Sequence, residues 1–189
     1  SYTLKKQHRQ PAFIKGLSII INQCVKTNHL EKAISIIEAQ RETHHKQLLQ
    51  EQLCYSLIQY QQHHHLNTFL STLNNPIIKS RIHQHILTKA LTQQNIEKAL
   101  NQLPNITLTT EKDNSYQALS LYYGKIKKHK NALDYIYKIS NESLQQDTLY
   151  KLAIQSAQNQ QVNQSFNIVN HLHHPTHYQN TICEIVFQY

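Results

Sequence analysis

Apolar and polar positions along this chain recur with a helical period. Leu17, Ile20, Ile21 and Cys24 stand at i, i+3, i+4 and i+7, which places them on one face of an α-helix. The stripe returns as Leu53, Ser56, Leu57, Tyr60, and then as His83, Ile86, Leu87, Ala90. Three further copies are Tyr116, Leu119, Ser120, Tyr123; Leu149, Leu152, Ala153, Ser156; and Ile182, Ile185, Val186, Tyr189. Their first members lie 36, 30, 33, 33 and 33 positions apart. A second stripe alternates with the first: Leu30, Ala33, Ile34, Ile37; Leu66, Phe69, Leu70, Leu73; Ile96, Ala99, Leu100, Leu103; Ala132, Leu133, Ile136; and Val162, Ser165, Phe166, Val169. No stretch shows the strict two-residue alternation of a strand.

The segments between stripes are polar and brief. Lys26-Thr27-Asn28 and Gln93-Gln94-Asn95 separate a first-stripe helix (helix A) from a second-stripe helix (helix B). Breakers such as Asn74-Asn75-Pro76, Pro104-Asn105, Ser140-Asn141 and His174-Pro175 follow helix B. Proline there removes a backbone donor and disfavours helix at the residue before it. The expected fold is all-α: five helix-turn-helix repeats of about 33 residues plus a sixth leading helix, stacked because one hairpin cannot cover its own stripe. In the second hairpin Phe69 falls where the others carry Ala or Ser, so the small Ser56 or a local shift must accommodate it. Residues 14–189 read as one repeat domain, and residues 1–13 as a basic, partly flexible segment. The last stripe has no helix B after it, which leaves Val186 and Phe187 free to dock elsewhere, self-association included.

Composition sharpens this picture. Only 2 Gly and 4 Pro leave little room for tight turns or a phosphate-cradling loop. The longest apolar-looking stretch, around Leu17 to Ile21, falls far short of the roughly 20 residues that cross a bilayer, so no membrane span is expected. Cys24, Cys54 and Cys183 are too far apart for a metal pair or a disulfide framework and read as buried or half-buried thiols. A reducing, cytoplasmic compartment fits them. A secreted effector, or a domain excised from a larger protein, stays open as an alternative, since the sequence contains no Met.

SYQALSLYYGKIKKHKNALDYIYKIS, from Ser115 to Ser140, resembles the tetratricopeptide-like superfamily, which includes the pentatricopeptide variant. Tyr116, Leu119, Tyr123, Ala132 and Ile136 stand at that family's packing positions. The resemblance covers about Ile14 to Tyr189 and implies a right-handed α-solenoid. Ile21, Leu57 and Leu87 depart from the family's small residue, while Ser120 and Ala153 keep it. The resemblance also implies an inner groove lined by helix A residues away from the packing stripe. These are Lys15, Asn22, Lys26, Arg81, Gln84, Asn114, Gln117, Lys125 and Tyr150, with Ser18, Gln61, Gln62 and Gln158 beside them. Amides and scattered cations in such a groove suit an extended, acidic peptide.

No nucleophile, base and orienting group stand at catalytic spacing, so a non-enzymatic scaffold is expected, without cofactor. Eleven of the 14 histidines cluster, at His44-His45, His63-His64-His65, His83/His85 and His171 to His177. Adjacent residues on a helix point about 100° apart, so these runs do not converge on one ion and no metal site is expected. With 19 Lys and Arg against 11 Asp and Glu, the formal charge is +8. Lys125, Lys127, Lys128 and Lys130 form its densest cluster, and Lys5, Lys6, His8 and Arg9 a second. These support an alternative reading as an RNA-binding module of the pentatricopeptide kind, against which the uneven 36- and 30-residue spacings weigh.

Overall fold

The computed structural model describes residues 2–173 and 175–187, with side chains over 12–173 and 178–187. Within them, long helices alternate with short ones and there is no strand. The long set is α1 (Tyr2–Lys26), α3 (Thr43–Gln59), α5 (Pro76–Thr92), α7 (Thr109–Lys125), α9 (Glu142–Gln158) and α11 (Pro175–Phe187). The short set is α2 (Leu30–Glu38), α4 (His63–Thr72), α6 (Ile96–Leu100), α8 (His129–Ile136) and α10 (Val162–Val169), with a 3₁₀ turn at Leu103–Asn105. The expected all-α class holds. Of the basic segment 1–13, residues 2–13 form the first half of α1, Ser1 lies outside the described residues, and so do the side chains of Lys5, Lys6, His8 and Arg9.

Each long-to-short turn has the same backbone geometry. Asn28, Gln61, Gln94, Lys127 and Gln160 adopt φ near +60°, each 33 residues after the one before. At each, the N–H of the left-handed residue donates to the carbonyl three residues back, as Asn28 does to Val25 and Gln160 to Ala157. The next N–H donates five residues back, as His29 does to Cys24 and Gln161 to Ser156. This is a Schellman ending, which satisfies two of the last carbonyls of the long helix and reverses the chain at once. It is built here without glycine, on residues that carry a Cβ.

Asparagine and proline open several helices. Asn95 Oδ1 accepts from Lys98 N–H and Asn141 Oδ1 from Leu144 N–H, both at 2.9 Å. Asn75 Oδ1 accepts from Ile77 and Ile78 N–H, and Pro76 takes the first helical position of α5, where no donor is missed.

The molecule divides into two compact units, Ser1–Ile82 and His83–Tyr189. In the first, α1 packs on α2 and α3, and α3 on α4. Its core holds Ile21, Val25, Ala33, Ile37, Leu49, Leu53, Leu57 and Leu66. In the second, α7 packs on α8 and α9, and α9 on α10 and α11; Leu87, Leu119, Ile136, Leu152 and Ile168 lie at its centre.

The left-handed turns correct the register of the second hairpin by three residues. Measured from Gln61, Leu57 rather than Tyr60 corresponds to Cys24, and Leu66 rather than Phe69 to Ala33. Leu66 is accordingly 2% exposed and Phe69 half-buried, so no small partner is needed for a phenylalanine. Cys24 and Cys54 are buried and Cys183 is exposed. Burial, then the nearby Glu51 charge, pushes the Cys54 thiol up to about 12, which leaves it an inert packing group.

Candidate functional site

Aligned on the left-handed turns, the nine candidate residues fall on four places of the 33-residue step. Lys15, Arg81 and Asn114 share one place. Gln84, Gln117 and Tyr150 share the next, one turn further along the helix. Asn22 follows, and Lys26 and Lys125 share the last. Lys15, Asn22, Lys26 and Arg81 belong to the first unit and the other five to the second, so they form two surfaces, each described by itself.

In the first unit, Arg81 on α5 stands 3.6 Å from Glu51 on α3, and Glu51 also accepts from Tyr55 OH at 2.9 Å. Lys15 and Lys26 are exposed on α1. Asn22 is half-buried, its Nδ2 3.5 Å from Tyr60 OH, while its buried Oδ1 has no partner among the described residues. Gln61 and Gln62 are turn residues. Gln61 takes the left-handed conformation, and Gln62 Nε2 donates to the Val25 carbonyl at 2.8 Å, which ties α1 to the end of α3.

In the second unit, Gln117 Nε2 donates to Thr148 Oγ1 at 3.0 Å, with Asp147 Oδ2 at 3.4 Å. Tyr150 OH donates to Glu184 at 2.5 Å, and this bond, with burial, pushes the phenol up to about 12. Gln84 Nε2 lies 3.4 Å from Thr88 Oγ1 on its own helix. Asn114 and Lys125 are exposed. Arg81, Gln117 and Tyr150 thus link one long helix to the next, while Lys15, Lys26, Asn114 and Lys125 face solvent. Glu51, Thr148 and Glu184 complete these links. Sequence reading missed those pairings because each joins residues 30 or more positions apart.

The basic cluster sits on the α7–α8 turn. Lys125, Lys127, Lys128 and Lys130 are exposed around the half-buried His129, whose Nε2 lies 2.8 Å from Gln161 Oε1. Tyr123 of α7 and Tyr135 of α8 stack with their planes 7° apart, and Lys138 Nζ lies 4.7 Å from the Tyr135 ring centre. Among the described residues, no three His, Cys, Asp or Glu side chains gather in a way that would hold a metal ion. His174 and His177, part of the last histidine cluster, lie outside the described side chains. No helix among the described residues is long and apolar enough to cross a membrane.

Each unit also carries exposed apolar residues. Ile20 is 45% exposed, although Leu53, Leu119 and Leu152, at the corresponding places, are fully buried. Ile19 and Ile20 border a cleft of about 470 Å³ with Cys24 and His29. In the second unit, Val186 is 59% and Phe187 89% exposed, while Ile185 on the same helix is buried. Comparison with family models, curated proteins and solved structures finds no match to this chain.

Proposed function

We propose that the chain is a non-catalytic scaffold of tetratricopeptide-like repeats, five helix-turn-helix units and a sixth leading helix. In this reading it binds an acidic peptide or protein segment along its helix A faces. The observation that carries the reading is the return of one left-handed turn at every thirty-third residue from Asn28 to Gln160. A repeated hairpin presents the same helix face again and again, which suits an extended partner. Lys15, Lys26, Asn114 and Lys125 supply exposed donors for it, and the Gln117–Thr148 link ties α7, which carries Asn114 and Lys125, to α9. The exposed Val186 and Phe187 supply a second contact, for a partner or another copy of the chain.

The RNA reading is favoured by one observation, the four exposed lysines of the α7–α8 turn. The even spacing of the turns removes the objection drawn from uneven stripes.

Fluorescence anisotropy with labelled acidic peptides, neutral peptides and single-stranded RNA separates the two. Acidic peptides are expected to bind best, and Lys15→Glu combined with Lys26→Glu and Lys125→Glu to weaken them by roughly tenfold or more. Unchanged affinity in that variant, or tighter RNA binding with a steep salt dependence, would sink the peptide reading.

A further inference from the structure

Where a short helix hands over to the next long one, the second unit closes the turn with a side chain from the preceding long helix. Asp113 of α7 is buried and reaches the turn before α9. Its Oδ1 accepts from Ser140 N–H at 3.0 Å, and its Oδ2 accepts from Ser140 Oγ–H at 2.7 Å and Asn141 N–H at 3.0 Å. One step later, Gln146 of α9 repeats the device, its Oε1 accepting from His173 N–H at 2.9 Å.

Gln47 of α3 holds the corresponding place in the first unit, two steps before Asp113, and Asn74 and Asn75 hold the places of Ser140 and Asn141. Here the latch is not made. Among the described residues nothing accepts from the N–H of Asn74 or Asn75, and the Gln47 side chain has no hydrogen-bond partner. A cleft of about 550 Å³ stands in its place, lined by Lys46, Gln47, Gln50, Thr72, Asn74 and Asn75. The α5 N-terminus is not what the cleft offers, because the Asn75 side chain already caps it. Lys46 brings a positive charge partly balanced by its bond to Glu38 at 2.5 Å.

We propose that this cleft binds a carboxylate supplied by another molecule. The N–H groups of Asn74 and Asn75 donate to its oxygens, as Ser140 and Asn141 donate to Asp113, and the amides of Gln47 and Gln50 complete the shell. Asp113 demonstrates within the same chain that this turn accepts a carboxylate. The volume lies within the usual ligand-pocket range of roughly 300–1,000 Å³ and leaves room for the residue that bears the group. The site uses none of the nine groove residues that carry the scaffold reading, so its failure would leave that reading standing.

The test is a titration of the ¹⁵N-labelled full chain with N-acetyl-aspartate amide, N-acetyl-asparagine amide, sodium acetate and sodium chloride, followed at the Asn74 and Asn75 amides. Saturable shifts with the aspartate compound and acetate, absent with the asparagine compound and chloride, are the expected result. Tighter binding of the aspartate compound assigns the site to an acidic side chain of a peptide, and equal binding to a free small acid. Gln47→Asp should supply the carboxylate internally, shift both amides without ligand, raise the melting temperature and abolish binding. Unmoved Asn74 and Asn75 amides in the wild type, or equal shifts with the asparagine compound or chloride, would overturn the proposal.

Discussion

Gly124 illustrates how one residue is constrained by its neighbours rather than by its own backbone. The corresponding places in the other long helices hold Val25, Ile58, Leu91 and Ala157, so a side chain is tolerated there in general. At Gly124 an added Cβ would lie 2.3 Å from Leu152 Cδ1 and 2.5 Å from Gln155 Oε1. Gln155 can swing aside, but Leu152 is fully buried and has nowhere to go. Overpacking of this kind costs about 1–3 kcal/mol, against a gain of about 1 kcal/mol from alanine's helix preference. Gly124→Ala should therefore lower stability by about 1 kcal/mol, read as a drop of roughly 2–4 °C in a thermal melt. An unchanged or higher melting temperature would show that Leu152 repacks freely.

At the scale of the helices, the Schellman endings place the chain under a modest, recurring strain. An L-residue in the left-handed region is disfavoured by roughly 1–2 kcal/mol, whereas glycine enters it freely at some cost in unfolded-state entropy. Gln94→Gly should stabilise the α5–α6 turn by up to about 1 kcal/mol, and a urea melt should show a higher midpoint with an unchanged slope. Asn28→Gly should gain less, because asparagine already tolerates this conformation. A lower midpoint for Gln94→Gly would mean that its side chain contributes more than its backbone strain costs. The turns were legible as polar breaks, but four of the five left-handed residues are Gln or Lys, which carry no local signal for that geometry. Packing of the short helix back onto the long one imposes it.

For the whole molecule, charge dominates the response to pH. Each of the 14 histidines adds one positive charge when protonated, so full protonation carries the formal charge from +8 to +22 and adds self-repulsion. Although His85 is exposed as a residue, partial desolvation of its ring and then the Lys89 charge hold it below its ordinary 6.5, so the folded state binds fewer protons there than the unfolded chain. The stability that this contributes at neutral pH is lost as pH falls below 6.5. Asp113 adds a second stage. Burial raises its pKa, but the hydrogen bonds from Ser140 and Asn141 together outweigh burial and hold it below 3.8. Its contribution is present above that value and is lost as pH falls further. Melting temperatures should thus fall between neutral pH and about pH 5, recover in part with added salt, and fall again below about pH 4. An unchanged melting temperature between neutral pH and about pH 5 would refute the first stage. The second should be missing in Asp113→Asn.

The helical class, the alternation of two kinds of helix and the sites of the turns followed from sequence alone, because a 3.6-residue apolar period and helix breakers are local signals; that one kind is long and the other short did not. Tertiary structure decided the register of α3 and α4. Leu53, Cys54, Ser56 and Leu57 are all buried there, so the pattern fits two phases equally well and only the turn at Gln61 chooses between them. It also decided what the polar residues do. Lys15 and Arg81 look alike as cations on one helix place, yet only Arg81 has a carboxylate opposite it, from a residue 30 positions earlier. Asp113 drew no notice as a scattered acid, and Gln47 none as an amide among many. Their difference rests on hydrogen bonds spanning 27 residues, present at one turn and missing at its counterpart. A local pattern determines which face of a helix is apolar, and only the packed neighbour determines which polar group finds a partner.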